Sequence, residues 1–293
     1  MTIQRTWIDR AGELRDEPGL IDRLRSDDST RVIAVRDGRV RIVDDELLLV
    51  GADDVSDATL ALLGRTADGT HLLLAALAPE AGAVDTAPDE TWLGLRDLGG
   101  RLSPVDTELL IEALALAGWL RDAPFCPTCG GGTELRQGGW SRRCLACGRE
   151  HFPRTDPAVI VAVESSDGER LLLGANANWN GRMYSCFAGF TEAGESLEST
   201  VHRELEEEAG VTLAELRYIS SQPWPFPRSL MLGFRAVVVD EDAARPDGEE
   251  IIDVRWFTRD EVASALAGDG PVGLPGPASI ARALILDWFE GRG

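Results

Sequence analysis

The stretch that decides the fold of the C-terminal part is Gly189 to Val211, which reads GFTEAGESLESTVHRELEEEAGV. Residues 197–209 contain neither proline nor glycine, and they lie between Ser196 and Gly210. A serine before an uninterrupted segment and a glycine after it are start and stop signals of a helix. The sequence therefore predicts a helix over 197–209.

This helix carries a cluster of acidic side chains. Glu204 and Glu208 stand one turn apart and Glu207 lies three residues from Glu204, so the three carboxylates share one face. Two unit charges about 4 Å apart repel by about 4 kcal/mol at an effective dielectric constant near 20. The side chains either spread into water, as a solvated acidic face, or surround a cation. Oxygen ligands suit Mg²⁺ or Mn²⁺.

The same stretch matches a family signature at every position. The pattern is G-x5-E-x7-R-E-U-x-E-E-x-G-U, where U is aliphatic, and it resembles the signature of the Nudix hydrolases. The resemblance favours the metal site over the solvated acidic face. It implies that Glu204, Glu207 and Glu208 bind Mg²⁺ or Mn²⁺ and are catalytic.

The resemblance also implies ligands outside the helix. Ala188, directly before the signature, is expected to bind the metal through its main-chain carbonyl. A carboxylate six residues before Trp256 completes the metal site in the family, which indicates Glu250 and leaves the adjacent Glu249 as the alternative. Arg203 is expected to hold the glutamates in place through charge-assisted bonds rather than to touch substrate.

Four of the five cysteines lie in one short segment. Cys126 and Cys129 form one CxxC pair and Cys144 and Cys147 form a second, fourteen residues later. Two such pairs are typical of a tetrahedral four-cysteine zinc site, with a redox dithiol pair as the alternative. Because all four ligand positions are filled, the sequence predicts one structural Zn²⁺ per subunit that contributes directly to folding.

Length and charge limit the function classes. The chain has 293 residues, which suggests about two domains, and a net charge of −21. This charge argues against broad electrostatic binding to nucleic acid or anionic membrane. Met1 to Arg10 carries charges where a signal peptide needs an apolar core, and no apolar run approaches the length of a membrane span. We expect a cytoplasmic protein without a membrane partner.

The predicted fold class is α+β, with an N-terminal αβ domain over 1–122, a zinc ribbon over 123–153 and a Nudix α/β/α sandwich over 154–293. Consecutive strands are predicted over 32–50, with turns at 37–38 and 44–45, and further strands at 71–77, 158–163, 171–173, 230–239 and 252–257. Helices are predicted from Ser103-Pro104 to Leu120, over 260–266 and over 278–289. We interpret the first domain as a packing or dimerisation domain, with direct substrate contact as the alternative.

A second motif narrows the family. The run SQPWPFPRSLM (Ser221 to Met231), the zinc ribbon and the Phe152-Pro153-Arg154 link resemble the NADH pyrophosphatase branch of the Nudix hydrolases. The resemblance covers about residues 120–290. The substrate-binding residues that it and the chemistry of the run indicate are Phe152, Gln222, Pro223, Trp224, Pro225, Phe226, Pro227, Arg228, Ser229 and Ala281.

The run also has a physical interpretation of its own. Prolines at 223, 225 and 227 fix three φ angles, which predicts a stiff extended strip. Trp224 and Phe226 lie between them and either contact a base ring or pack inward beneath the loop, and for Phe226 we favour packing. Gln222 and Ser229 offer hydrogen bonds to a dinucleotide.

The sequence thus indicates a Mg²⁺- or Mn²⁺-dependent enzyme that cleaves the diphosphate of NADH or NAD⁺ into nicotinamide mononucleotide and AMP. The resemblance also implies removal of NAD caps from RNA 5′ ends. The alternatives are a Nudix hydrolase of another dinucleotide, such as ADP-ribose, and a non-catalytic nucleotide-binding regulator. The resemblance further implies a homodimer, for which Trp119-Leu120, Trp140 and Trp179 are candidate interface residues, with ordinary core packing as the alternative.

Overall fold

The computed structural model describes residues 8–55, 57–79, 91–179 and 182–291. It divides the chain into two units, one of residues 1–154 together with 225–228, the other of residues 155–224 and 229–293. The predicted N-terminal domain and zinc ribbon therefore share one unit. Residues 1–7, part of the stretch considered for a signal peptide, lie outside the described residues.

The elements of the first unit are α1 (Leu20–Arg25), β1 (Arg31–Arg36), β2 (Arg39–Val43), β3 (Glu46–Leu47), β4 (Leu49–Val50), β5 (Ala58–Arg65), β6 (His71–Leu77), β7 (Thr91–Leu93), α2 (Leu95–Leu98), α3 (Pro104–Asp122), β8 (Thr133–Arg136), β9 (Ser141–Cys144) and β10 (Glu150–His151). Those of the second are β11 (Asp156–Glu164), β12 (Arg170–Asn176), β13 (Phe187–Phe190), α4 (Leu197–Ala209), β14 (Leu213–Trp224), β15 (Ser229–Val238), β16 (Ile251–Thr258), α5 (Arg259–Ala267) and α6 (Ile280–Phe289). Among these described helices, none is long and apolar enough to cross a membrane.

The first unit is built on a mixed sheet. Its strand order is β3-β2-β1-β6-β5, with β4 also paired to β1 and β7 to β2, and β1 runs parallel to β6. Helix α3 packs on β1, β5 and β6. The hydroxyl of Ser103 accepts a bond from Asp106 N at 3.1 Å, which confirms the predicted helix start.

The zinc ribbon, strands β8 to β10, is fastened to the rest of this unit. Trp140 donates its indole N–H to the carbonyl of Leu62 at 2.6 Å, and the guanidinium of Arg15 lies 4.0 Å from the indole ring. Arg142 donates to the carbonyl of Leu120 at 2.8 Å. Leu120 is buried. Its burial favours the alternative of ordinary core packing, because α3 packs Leu120 inside the unit.

The other candidate interface residues differ in exposure. Trp140 already contacts Leu62 and Arg15 within the first unit. Trp119 is half-buried in the same unit, and the Arg142 guanidinium lies 5.7 Å from its ring. Trp179, in the second unit, is 37% exposed. Among the three tryptophans predicted for an interface, Trp179 has the largest exposed fraction.

The second unit is a sheet between two helical layers. The strand order is β14-β15-β11-β12-β16, with β13 paired to β11, and β11 runs parallel to β15. Helix α4 packs with one apolar cluster that includes Val161, Phe187 and Leu205. Helices α5 and α6 pack with a second cluster that includes Ile160 and Trp288. This arrangement confirms the predicted α/β/α sandwich.

The proline-rich run differs from its prediction. Strands β14 and β15 pair as an antiparallel hairpin up to Trp224 opposite Ser229, and residues 225–228 form the turn between them. The prediction of one extended strip is therefore wrong beyond Trp224. Proline has no N–H to donate, but Pro223 is tolerated inside β14 because this strand lies at the edge of the sheet. On its outer side there is no neighbouring strand in the sheet to which an N–H would donate.

Candidate active site and zinc centre

Helix α4 spans Leu197–Ala209, as predicted. The hydroxyl of Ser196 accepts a bond from Ser199 N at 3.1 Å, and Gly210 ends the helix with a φ of 66°. The apolar residues Val201, Leu205 and Ala209 are fully buried against the sheet. The remaining side of the helix carries the glutamates of the signature.

Arg203 links these glutamates into one network. Its Nε and Nη2 donate to the two carboxylate oxygens of Glu195, at 2.8 and 2.9 Å. Its Nη1 donates to Glu204 at 2.8 Å and to Glu207 at 3.3 Å, and its Nη2 also reaches the carbonyl of Phe190 at 3.0 Å. The two-point contact with Glu195 fixes the plane of the guanidinium. Arg203 thereby holds the positions of Glu204 and Glu207, as the sequence predicted.

Glu195 supplies the constant charge that holds Arg203. The guanidinium of Arg203, then the main chain at Glu192 and the hydroxyl of Thr200, lower the pKa of the Glu195 carboxyl to about 2. Glu195 is therefore ionised across the neutral range. Its part in the site is to orient Arg203, which explains why the signature places a glutamate eight residues before the arginine.

The glycine that opens the signature is required by a close approach. A β-carbon on Gly189 would overlap the carboxyl group of Glu204. The Glu204 carboxyl group therefore occupies the space that a side chain at position 189 of β13 would take. This contact sets the Glu204 carboxyl group against the main chain of β13 at Gly189.

Glu208 is the most unusual carboxylate of the second unit. It is 6% exposed, and its Oε2 is buried without a hydrogen-bond partner. Burial, followed by the negative charges of Glu204 and Glu250, raises the pKa of Glu208 to about 8, although a bond from the main chain of Ala188 opposes the shift. A buried carboxylate oxygen without a partner is costly unless something binds it.

The surrounding carboxylates differ in exposure. Glu204 is 13% exposed at its side chain and Glu207 is 61% exposed. Burial, opposed by Arg203 and reinforced by Glu207 and Glu250, raises the pKa of Glu204. Glu250 thus acts on both Glu204 and Glu208. It accepts a bond from Asn176 at 3.3 Å.

The two candidates for the outer metal ligand, Glu249 and Glu250, differ in their surroundings. The charge of Glu250 raises the pKa of both Glu204, which is half-buried, and Glu208, which is buried. The main chain of Glu249 is instead bonded to Asp247, at 2.7 Å. These contacts favour Glu250 over Glu249.

The donor set fits a hard divalent cation. It consists of carboxylate oxygens and the main chain at Ala188, the ligand types that Mg²⁺ and Mn²⁺ prefer. The unpartnered Oε2 of Glu208 is the observation that calls for a cation. Within the described ranges, no three acidic side chains bring ligand oxygens within 4.8 Å of one another, so this site is more open than the cysteine cluster.

One residue of this region was missed by the sequence analysis. Phe190 ends β13 with a side chain that is 54% exposed, while its carbonyl is bonded to Arg203. It lies opposite Ala158, which lies opposite Met231, which in turn lies opposite Gln222. Residues opposite one another across strands share a face, so Phe190 begins a row across the sheet. Its place in the signature, directly after a fixed glycine, was the available signal.

Three predicted substrate residues have partners inside the fold. The side-chain amide of Gln222 donates to the carbonyl of Ala278 at 2.9 Å and accepts from Ile280 N at 2.7 Å. Ser229 is buried, and Ala281 is buried with its N–H bonded to the hydroxyl of Ser279 at 3.2 Å. The Gln222 amide thus fastens the start of α6 to the edge strand, and its bond to a dinucleotide stays a prediction.

The remaining predicted substrate residues lie on the hairpin and in the link. Trp224, Pro225 and Phe226 are half-buried, whereas Pro223, Pro227 and Arg228 are exposed. The guanidinium of Arg96, in the same unit as residues 225–228, lies 4.3 Å from the ring of Phe226. This contact agrees with the inward packing that was favoured for Phe226. Phe152, in the first unit, is 42% exposed.

The four cysteines of the ribbon come together as predicted. One ligand atom from each lies within 4.8 Å of the others, with Sγ–Sγ distances of 3.8 Å for Cys126–Cys147 and 3.5 Å for Cys129–Cys144. Sulfurs about 3.8 Å apart fit a tetrahedral ion with Zn–S bonds of about 2.3 Å. None of the five cysteines forms a disulfide in this structure.

Local hydrogen bonds prepare two of the four thiols, those of Cys126 and Cys144, for metal binding. Although burial opposes it, bonds from the main chain of Cys129 and Thr128 and from the side chain of His151 lower the pKa of Cys126 to about 7. Main-chain bonds from Cys147 and Ala146 act likewise at Cys144 and lower its pKa to about 6. Zinc binds the thiolate form, so both shifts favour the ion. In contrast, burial raises the pKa of the isolated Cys186 to about 12, which agrees with its prediction as a small apolar core residue.

Models of two known families match parts of this chain. The NUDIX domain model matches residues 154–273, and the NADH pyrophosphatase zinc ribbon domain model matches residues 121–152. A solved structure of a Nudix hydrolase from Nitrosomonas europaea is similar to 57% of this chain and 91% of its own, at 24% identity and a TM-score of 0.45.

Relatives of known name cover nearly the whole chain. The NAD-capped RNA hydrolases NudC of Mycobacterium bovis and Mycobacterium tuberculosis are each 40% identical over 305 residues, which is 98% of this chain and 94% of theirs. The NAD-capped RNA hydrolase NUDT12 of Homo sapiens is 37% identical over 200 residues, covering 65% of this chain and 43% of that protein. The chain therefore belongs to the Nudix hydrolases, in the branch that carries the NADH pyrophosphatase zinc ribbon.

Proposed function

We propose that this Nudix hydrolase cleaves the diphosphate of NADH and NAD⁺ into nicotinamide mononucleotide and AMP, and that it removes NAD caps from RNA 5′ ends by the same cleavage. The observation that carries the proposal is the buried Glu208, whose Oε2 has no hydrogen-bond partner, on the same helix as the glutamates that Arg203 holds. The names of the full-length relatives, both NAD-capped RNA hydrolases, support the choice of substrate.

The residues that would hold Mg²⁺ or Mn²⁺ are Glu204, Glu207, Glu208, Glu250 and the carbonyl of Ala188. A bound divalent ion neutralises diphosphate oxygens and lowers the pKa of a water molecule. The donor set and the unpartnered Oε2 of Glu208 support this assignment.

The chain's own groups orient the reaction. Arg203 keeps Glu204 and Glu207 in fixed positions, so that their carboxylates need little rearrangement when substrate binds. Glu207 or Glu208 accepts the proton of the attacking water as general base. The two are distinguished by exposure, since the Glu207 side chain is 61% exposed and Glu208 is buried.

Phe190 is our candidate for base recognition in the second unit. Its exposed ring offers a surface on which a nicotinamide or adenine ring stacks. Its carbonyl accepts a bond from Arg203, the residue that also holds Glu204 and Glu207. The ring and these glutamates are therefore positioned by the same arginine. Phe152, which has an exposed ring in the first unit, remains a second candidate, as the family resemblance implies.

A homodimer is also part of this proposal. Trp179 is the accessible member of the predicted aromatic surface. Sedimentation velocity over a concentration series, read beside activity, tests it. A dimer that loses activity on dilution supports a shared site, and a fully active monomer contradicts it.

The substrate is tested by assaying NADH, ADP-ribose and NAD-capped RNA side by side with Mn²⁺ and separating the products. We expect reduced nicotinamide mononucleotide and AMP from NADH, and a 5′-monophosphate RNA from the capped transcript. A preference for ADP-ribose would identify the alternative hydrolase. Binding without cleavage of any of the three would identify a nucleotide-binding regulator.

A further inference from the structure

One histidine of the first unit lies against the zinc centre without belonging to the four-cysteine set. The Nε2 atom of His151 is 3.1 Å from the Sγ atom of Cys126, which is buried. The ring itself is half-buried. Among the described residues, the group whose ligand atoms all lie within 4.8 Å consists of the four cysteines, so His151 contacts one sulfur and stands outside the cage.

The position of the ring follows from the ribbon's strand pairing. His151 lies opposite Arg142 in the antiparallel pair of β9 and β10, and Glu150 lies opposite Arg143. Strand β9 ends at Cys144, whose N–H is bonded to the carbonyl of Arg149 at 2.8 Å. The same short ladder therefore fixes both a cysteine of the second pair and the histidine that contacts the first pair.

The chemistry of the contact assigns the donor. A zinc-bound cysteine is a thiolate and has no proton to give, so the proton in this bond belongs to Nε2. Zn²⁺ with four thiolates carries a net charge of −2, and each N–H directed at a sulfur disperses part of that charge. A donor of this kind is also found at Cys144, which accepts from Cys147 N at 3.4 Å.

We propose that His151 is a positioning residue of the zinc centre, which donates from Nε2 to the thiolate of Cys126 and thereby sets the affinity and the release rate of the ion. Groups that contact a metal ligand in this way commonly change metal affinity about 10–100-fold when they are removed. His151 is thus part of the zinc centre, although it does not bind the ion.

The test uses the full-length zinc-loaded protein and two substitutions of His151. Gln places an N–H donor at about the reach of Nε2, whereas Asn carries the same amide on a shorter side chain. Zinc transfer to a colorimetric chelator measures the release rate. We expect His151→Asn to release zinc at least about 10-fold faster than the unaltered protein, and His151→Gln to stay within about 3-fold of it.

Two further measurements separate positioning from a general loss of structure. Replacing zinc by Co²⁺ gives an absorption spectrum that reports the thiolate ligands, and we expect His151→Asn to shift the sulfur charge-transfer band while keeping four-sulfur coordination. His202→Asn, a change at an exposed histidine of α4, serves as control and should release zinc at the unaltered rate.

The proposal fails if His151→Asn and His151→Gln release zinc equally fast, whether both match the unaltered protein or both exceed it. It also fails if the Co²⁺ spectrum of the unaltered protein shows three sulfurs and one nitrogen, because His151 would then be a ligand, or if His151→Asn loses four-sulfur coordination, because the substitution would then disrupt the cage rather than one hydrogen bond. These readouts do not involve NADH, so they stand or fall independently of the proposed activity.

Discussion

The zinc centre and the glutamate site show two ways in which one chain prepares to bind a metal. The four cysteines lie within 4.8 Å of one another, and two of them already have a lowered pKa. The glutamates of α4 and Glu250 are spaced more widely, and Arg203 is bonded to two of them. The zinc site is a compact cage of thiolate ligands. The glutamate site is a looser set of carboxylate ligands.

The difference follows from charge and from role. Thiols can approach one another while neutral, whereas ionised carboxylates repel at the same distance. A closed cage stabilises the fold, since binding of the ion is then folding free energy. An open site must leave room for phosphate oxygens and water. In the glutamate site, Glu208 is buried with one carboxylate oxygen that has no hydrogen-bond partner, and this burial lowers the stability of the fold until an ion binds.

The largest expected effect is the loss of catalysis without loss of zinc. Glu208→Gln, and in a separate variant Glu207→Gln, should lower the kcat for NADH at least about 10²-fold, the scale of general-base loss. Steady-state rates with saturating Mn²⁺ measure this, and zinc content should stay unchanged. Glu206→Gln, at an exposed position of the same helix, is the matched control. Near-normal rates in both test variants would remove these two residues from the chemistry.

A substitution in the zinc centre should remove zinc and lower the stability of the protein. Cys126→Ser leaves three thiolates, so we expect zinc to be lost and the melting temperature to fall by several degrees. A loss of 1 kcal/mol corresponds to about 2–4 °C for a domain of about 150–250 residues. Metal analysis and thermal unfolding measure the two effects. Cys186→Ala is the control for zinc content, and it should retain one ion per chain. An unchanged melting curve in a zinc-free Cys126→Ser sample would contradict a structural role.

Gly189→Ala tests the geometry of the open site alone. The added methyl group would overlap the carboxyl group of Glu204, so that carboxyl must move. A displacement of about 1 Å at a catalytic group costs up to about 10²-fold, and we expect kcat to fall about 10-fold or more. Gly118→Ala, in α3, meets no atom within 4 Å and should leave kcat unaltered. Equal rates in the two variants would show that the close approach has no catalytic importance.

The smallest effect concerns pH. The pKa of Glu208 is raised to about 8 in the fold, so the folded state holds its proton more tightly than the unfolded chain. The stability due to this group is complete below the unfolded pKa, near 4.5, and is lost as the pH rises through about 8. Urea unfolding without added divalent ions should show the free energy of unfolding falling by about 2 kcal/mol more between pH 6 and 9 than in Glu208→Gln. Parallel pH profiles would contradict the burial of an unpartnered carboxyl.

Several features could be predicted from the sequence because their signals are local. Ser196 and Gly210 predicted both ends of α4, since a cap and a left-handed glycine act within one turn of the helix. The turns at 37–38 and 44–45 and the strand at 71–77 follow from short-range patterns, and the structure confirms them. The four-cysteine site could be predicted because each CxxC pair lies within a single local turn of the chain.

Other features depend on contacts between distant residues. Strand β5 escaped prediction because Ala58–Arg65 is a mostly apolar run without clear alternation. The role of Gln222 rests on partners 56 and 58 residues away, which no local pattern indicates. Three prolines suggested an extended strip, whereas the pairing of Trp224 with Ser229 places a turn at 225–228. Phe190 resembles a core strand residue in sequence, and only the fold exposes its ring.

The most direct test compares the two metal sites in a single sample. The purified protein is dialysed against buffer without divalent ions, analysed for zinc, and then titrated with Mn²⁺ while binding and NADH hydrolysis are followed together. The predicted result is one retained zinc ion per chain, no hydrolysis before Mn²⁺ is added, and hydrolysis that rises with Mn²⁺ binding and is greatly reduced in Glu208→Gln. Full activity of the dialysed protein, or Mn²⁺ binding to Glu208→Gln as tight as to the unaltered chain, would contradict the assignment of the open site.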